Sequence, residues 1–179
     1  MRLIRNFFGH LHTVNSHRFL VFVHAVKAGI VYRGMVHDLS KYNPVEFFEG
    51  VKNFQQGTRS PIEQVRELYG YSPAWLHHKG RNRHHIEYWS DYNPHEKKIL
   101  PVKIPLVFVK EMFCDKVSAS KIYQKEKYKN DFPLNYLLSG KDKNYMHPEP
   151  YNLLVKMLTI LSEQGEAEAF KYIRNLREY

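Results

Sequence analysis

The sequence predicts an all-α fold, and three observations carry that expectation. Apolar residues recur at helical spacing in several long segments, helix start and stop signals punctuate the chain, and no series of alternating residues reads as strands. With 179 residues, 43% of them hydrophobic, the chain is long enough for one compact core, so a single domain over residues 1–179 is expected.

The first element expected is a helix capped by Ser16 and running to about Ala28, with a stretch at 19–23 so apolar that it suits a buried helix. His17, Leu20, Val21, His24 and Ala28 share one of its faces. Gly29 opens a short connection, and a second apolar segment over 30–36 delivers His37 and Asp38. Asn43-Pro44 marks a break and restart, with Pro44 at the first position of a helix carrying Val45, Phe47, Phe48 and Val51. Ser60-Pro61-Ile62-Glu63 reads as a capping box opening a helix that Gly70 ends. Ser72-Pro73 repeats the start signal for a short helix that bears His77 and His78 and stops at Gly80.

Residues 82–89 read as one or two further helical turns, closed by the turn formers Ser90-Asp91-Tyr92-Asn93-Pro94. A longer amphipathic helix is expected from Pro105 to about Tyr128, with Phe108, Glu111, Met112, Asp115 and Ala119 near one face. Residues 131–147 read as loop around a short apolar core. Pro148 and Pro150 then introduce a helix through Leu153, Leu154, Met157, Leu158 and Leu161, and Gly165 separates it from a last charged helix to Tyr179. The metal-site core is thus expected over about 16–128, with C-terminal helices over 131–179.

A net charge of +9 favours anionic partners: a phosphorylated small molecule, a nucleotide foremost, or nucleic acid. Much of it lies in Lys121, Lys125, Lys127, Lys129, Lys141 and Lys143, for which a solvated helix face is the plain alternative. The single Cys114 excludes an intrachain disulfide framework and suits a reducing cytoplasm. His10 and His12 interrupt any signal-peptide core at the start, and residues 19–23 are too few to span a bilayer, so a soluble cytoplasmic protein without a membrane partner is expected.

The chemistry lies in the histidines, of which there are eleven. His17, His37-Asp38, His77-His78, His84-His85 and Asp115 supply nitrogen and oxygen ligands for one or two transition metals, Mn, Fe, Ni, Co or Zn. They sit among apolar neighbours, as in Met35-Val36-His37-Asp38 and Trp75-Leu76-His77-His78, where an unpaired polar group is costly to bury. A His-Asp dipeptide at a helix end puts an imidazole and a carboxylate on one cation and leaves the second carboxylate oxygen for another. His17 and Asp115 are placed to complete the set. Glu111 lies one turn before Asp115, on the same face, to orient a ligand histidine, transfer a proton or pair with a cation. His24 lies two helical turns from His17, about 10 Å along the axis, and reads as a core histidine. His10, His12 and His95 lack a partner pattern, and His147 before Pro148 reads as a helix cap.

The ordered set, with His37-Asp38-Leu39-Ser40-Lys41, resembles the HD superfamily of metal-dependent phosphohydrolases. Its pattern is a helix His, a later His-Asp pair, intermediate His residues and a final helix Asp. Ala74-Trp75-Leu76-His77-His78, Arg81-Asn82-Arg83-His84-His85 and Glu87-Tyr88-Trp89 are similar, more closely, to an uncharacterised HD-like family of phages and Gram-positive bacteria. The resemblance implies an HD-like helical bundle in which His17, His37, Asp38 and Asp115 hold a principal metal and Asp38 bridges to a second.

Gly80 breaks the helical phase between the two His pairs, leaving open which member of each faces the metal. His78 and His85 are assigned as ligands, His77 and His84 as substrate contacts or supports of the ligands, and Asn82 as fixing the rings by hydrogen bonding. The pairs lie only seven residues apart, closer than in many HD proteins, which also leaves a mononuclear site open. Asp38, Lys41 and Glu111 are the expected catalytic residues, with Lys41 neutralising phosphate charge. Tyr69, Tyr71, Trp75, Tyr88, Trp89 and Tyr92 surround the His pairs as core residues or, at the site mouth, as a base-stacking surface. The function this implies is hydrolysis of a phosphoester in a nucleotide or nucleotide-like signalling molecule by metal-activated water. A di-iron oxygenase and a non-catalytic nucleotide- or nucleic-acid-binding protein with a structural metal are the alternatives, and a metal-free hydrogen-bonded core is the plain one.

Overall fold

The computed structural model describes residues 1–55, 59–140 and 142–179, and the fold is all-α. Lys141 of the basic run lies outside the described residues. The helices are α1 (Arg2–Ala28), α2 (Val31–Val36), α3 (Pro44–Lys52), α4 (Pro61–Tyr69), α5 (Pro73–Lys79), α6 (Leu106–Gln124), α7 (Phe132–Ser139), α8 (Asp142–Tyr145) and α9 (Pro148–Asn175). Among the described residues no helix is long and apolar enough to cross a membrane.

Helix α1 begins at Arg2, well before the expected cap at Ser16, which lies inside it. The extension is held by tertiary contact. Asn6 is buried and donates to the Val51 carbonyl of α3, Phe7 and His10 pack on Phe47, and Gly9 lets Phe54 approach so closely that a Cβ would stand 2.5 Å from its ring. The buried residues Val14, His17, Val21, His24, Ala25 and Ala28 recur every three or four positions and form the stripe facing α6 and α9. Gly29 ends the helix with φ 75°, and the N–H groups of Gly29 and Ile30 close on the last carbonyls.

Helix α2 lies tightly on α1 because Gly34 has no side chain, a Cβ there falling 2.5 Å from that of Ala25. The Arg18 guanidinium reaches across from α1 to the carbonyls of Met35 and His37 and to the Tyr42 hydroxyl, which pins the end of α2. Asp38 follows in the left-handed region at φ 53°, and a 3-10 turn over Leu39–Tyr42 leads to α3. Asn43 and Ser72 cap α3 and α5 with their side chains as their positions suggest, while Ser60 makes no such bond at α4.

Further stretches differ from expectation. Residues 82–89 are turns with one 3-10 segment, Ile86–Tyr88, because His85 is extended. Ser90–Asn93 and Lys98–Pro101 pair antiparallel as a small hairpin whose turn is held by the Asn93 side chain accepting from the amides of His95 and Glu96. The segment expected as loop carries α7 and α8, with Leu137 and Met146 anchoring their ends in the core. The basic run does not form one helix face: Lys121 lies in the last turn of α6, while Lys125 and Lys127 lie in a 3-10 turn and Lys129 beyond it.

The core sits where α6 packs against α1 and α9, around Phe113, Leu154, Met157, Leu158, Leu161 and Ile173. Gly165, at φ 84°, breaks α9 in the middle, and the His147 side chain caps its start by accepting from Glu149 N–H. His24 is a core residue, with Nδ1 2.7 Å from the Ser118 hydroxyl and its ring stacked on Phe170. His12 and His95 are exposed.

Candidate metal centre

Five segments converge on one buried point. His17 comes from α1, His37 and Asp38 from the end of α2, His78 from the last turn of α5, His84 and His85 from the turn after it, and Asp115 from α6. Asp38 occupies the middle. Its Oδ2 lies 3.4 Å from His37 Nε2 and 3.9 Å from His17 Nε2, and its Oδ1 lies 3.3 Å from His78 Nε2 and 3.4 Å from His84 Nε2. Asp115 Oδ1 lies 3.1 Å from His17 Nε2 and 3.7 Å from His37 Nε2. The donors fall into overlapping groups whose atoms lie within 4.8 Å of one another: His17, His37 and Asp38; His37, His84 and Asp115; and Asp38, His78, His84 and His85.

These spacings suit ligands around a cation. With bonds of about 2.1 Å, donor atoms on one tetrahedral ion stand about 3.4 Å apart, and on an octahedral one about 3.0 Å. His17 Nε2 and His37 Nε2 are 3.4 Å apart. The outer nitrogens point the same way: His37 Nδ1 lies 3.0 Å from Glu111 Oε1, and His78 Nδ1 lies 2.7 Å from Glu46 Oε2, so each ring donates outward and turns a lone pair inward. His84 Nδ1 sits 3.3 Å from Glu111 Oε1, close enough for an ion pair though not aligned as a hydrogen bond. Asp38 Oδ1, His84 Nε2 and His85 Nε2 are buried with no hydrogen-bond partner among the described residues. Buried polar atoms left in this state are costly, and a cation satisfies all three at once.

Electrostatics agree with the geometry at Asp38, Asp115 and His85, whereas the Glu111, Asp38 and Asp115 carboxylates raise His84 against its burial. Burial alone would raise the Asp38 carboxyl, but His37, Lys41, His78 and His84 hold it well below the ordinary carboxylate range. Asp115 is likewise held low against its burial by His17, His84 and His37. Burial and then the neighbouring imidazoles push His85 down, which keeps it in the neutral, ligating form. Glu111 is drawn down to about 2 against its burial by its hydrogen bond to His37, the charge of the His84 ring and Arg33, whose Nε lies 2.7 Å away.

His84 is turned into the donor cluster beside His78 and His85 and contacts Asp38 and Asp115, not the outer role expected of it. His77 shares Glu46 with His78 and belongs to none of the donor groups. Asn82 donates to Ser40 Oγ and to the His78 carbonyl and its Nδ2 lies 3.2 Å from His78 Nδ1, so it fixes the turn and touches the ring, as expected of it. That turn explains the short spacing of the pairs. Arg81 and Asn82 return their N–H groups to His78, folding the chain until the rings of His78 and His85 are 4.7 Å apart. Glu111 is fully buried behind the rings and touches no open space, so it positions His37 and His84. Lys41 Nζ lies 2.7 Å from Asp38 Oδ2.

Glu46, Arg33 and Ser40 have no counterpart in the sequence reading. The one signal for Glu46 is a carboxylate among Val45, Phe47 and Phe48, on a helix whose apolar face is buried.

The model of a family of unknown function, DUF5662, matches residues 6–160. The chain belongs to DUF5662. No curated protein and no solved structure matches it. The matched span contains every donor of this DUF5662 centre together with Glu46, Arg33 and Glu111.

A cavity of about 260 Å³ leads from the donors to the surface of this DUF5662 protein, and His17, Asp38, Lys41, His78, His85 and Asp115 form its inner end. The outer walls include Phe54, Tyr123 and Tyr136. Of the aromatics expected at the site mouth only Trp75 lines the cavity, and its ring packs against His78 and His85. Tyr69, Tyr71, Tyr88, Trp89 and Tyr92 do not line it.

Proposed function

We propose that the chain is a metal-dependent phosphohydrolase of the HD type, acting on a phosphoester of a nucleotide or nucleotide-like molecule. The observation that carries this reading is the convergence of buried, partnerless donor atoms on Asp38, with the imidazoles behind them oriented by Glu46 and Glu111. The order His17, His37-Asp38, intermediate histidines and Asp115 resembles the HD pattern, and the grouping of the same residues in space supports it.

His17, His37, Asp38 and Asp115 would hold a first divalent metal, and Asp38, His78, His84 and His85 a second. Bound there, such ions polarise a phosphoryl oxygen and lower the pKa of a water toward neutrality. The chain's own part is to hold that arrangement and to receive the ester. Asp38 divides its two oxygens between the groups. Lys41, in the inner wall of the cavity, carries a positive charge to meet an anionic phosphoryl group. The aromatic walls at Phe54, Tyr123 and Tyr136, with a net charge of +9, support a ligand that is both anionic and planar.

The test is plasma-emission metal analysis of untagged wild type and His37→Ala, followed by a phosphoester screen with the metal found. One or two equivalents are expected in wild type and less in the variant, with phosphate release dependent on the metal. Protein that neither contains nor takes up Mn, Fe, Ni, Co or Zn overturns the reading. Iron with oxygen consumption and no phosphate release replaces it with an oxygenase.

A further inference from the structure

The cations lining the cavity are Lys41, Arg59 and Arg66, and they are not equivalent. Lys41 is tied to Asp38. Arg59 is tied to Glu67, and its Nε lies 3.9 Å from Glu63, which also lines the cavity. Arg66, on α4, has no carboxylate within ion-pair distance among the described residues. Its guanidinium lies instead over the Trp75 ring, 5.3 Å from the centroid. That ring packs at 4.8 Å on His85 and 5.8 Å on His78, two of the donors. A guanidinium held over an aromatic face is pre-organised, and its planar fork matches a phosphate or carboxylate with two parallel hydrogen bonds.

We propose that Arg66 is a specificity residue: the ligand of this cavity carries a second anionic group, a phosphate or a carboxylate, which Arg66 receives while the first lies at the donor cluster. Trp75 joins the two subsites, since one ring supports both the guanidinium and the histidines. The Glu63 carboxylate does not cancel the subsite because Arg59 faces it. The proposal rests on the phosphohydrolase reading and narrows it from any phosphoester to one that carries a second negative charge.

The experiment is titration calorimetry of manganese-loaded wild type, Arg66→Met and Arg66→Lys with three probes: inorganic phosphate, methylene diphosphonate and phosphonoacetate. Metal content is measured on the same samples, and helical circular dichroism reports folding. Methionine keeps the apolar stem on Trp75, and lysine keeps the charge without the fork. Wild type is expected to bind at least one two-anion probe about tenfold or more tightly than phosphate, and the preferred probe identifies the second group as phosphate or carboxylate. Arg66→Met loses most of that advantage, Arg66→Lys recovers part of it, and phosphate affinity and metal content stay unchanged. Each probe meets the metal alike in every protein, so the difference between proteins reads Arg66. Equal affinity for all probes in wild type, or an equal loss of all three in Arg66→Met, overturns this inference while leaving the metal reading intact. Protein that takes up no manganese or other metal fails the phosphohydrolase reading itself.

Discussion

Glu46 accepts from two consecutive histidines, with Oε1 on His77 and Oε2 on His78, yet only His78 belongs to the donor cluster. Glutamine at 46 presents one acceptor and one N–H₂ group, so one imidazole loses its partner and is free to change tautomer. Glu46→Gln is therefore expected to weaken metal binding about 10- to 100-fold at the group built on His78, His84 and His85. The group built on His17, His37 and Asp115 keeps its support from Glu111. A two-phase metal titration in wild type should become one strong and one weak phase in the variant. Equal weakening of both phases, or none, would show that the two groups do not act as separate centres. Glu111 supports both, through His37 and His84, which is why it is fully buried and bound to Arg33.

The placement of His37 and Asp38 depends on how closely α2 lies on α1. Gly34 sets that distance, since a Cβ there would stand 2.5 Å from Ala25 Cβ and 3.1 Å from Phe22 Cα, a backbone atom that cannot turn away. Gly34→Ala is expected to push the helices apart at a cost of about 1–3 kcal/mol. It should also weaken metal binding, because the His-Asp pair moves with α2. Urea denaturation and a metal titration check both effects, and a variant as stable as wild type would falsify the close contact. Arg18 works with Gly34 by holding the carbonyls of Met35 and His37 before Asp38 and the Tyr42 hydroxyl after it, so the left-handed backbone at Asp38 is kept in place from both sides.

His24 ties three helices together: it belongs to α1, contacts Ser118 on α6 and stacks on Phe170 of α9. The charged groups around it are Lys27 on α1, Lys121 on α6 and Glu166 on α9. Burial first, then Lys121, lowers its pKa from 6.5 to about 4. The unfolded chain therefore takes up a proton near pH 6.5 that the folded chain refuses until about pH 4. Stability from this residue is fully present above pH 6.5 and falls as the pH drops toward 4, by up to about 3 kcal/mol. Thermal melts of metal-free wild type and His24→Gln between about pH 7.5 and 4.5 should converge as the pH falls. Curves that run parallel would mean that His24 charges freely in the folded protein.

The sequence by itself determined the all-α class, the helix starts at Pro44, Pro61, Pro73 and Pro148, and a store of metal donors among apolar neighbours. These are local facts: proline at a first helical position, glycine after a last one, and spacing of three and four act within a few residues. It also separated His24 and His147 from the donors, as a core residue two turns from His17 and as a helix cap. Only the tertiary structure decided the rest. Helix α1 runs back to Arg2 because Asn6 and Phe7 meet α3 and Gly9 meets Phe54 just after it, contacts some forty residues away in sequence. His84 joins the cluster, while His77 stays outside it as expected, because the turn after Gly80 sets ring directions that no periodicity describes. Glu46 and Arg33 gain their roles from partners 31 or more residues distant. A candidate ligand's identity is written in the chain, but its direction depends on the carboxylate behind it, and that carboxylate arrives only when the helices pack.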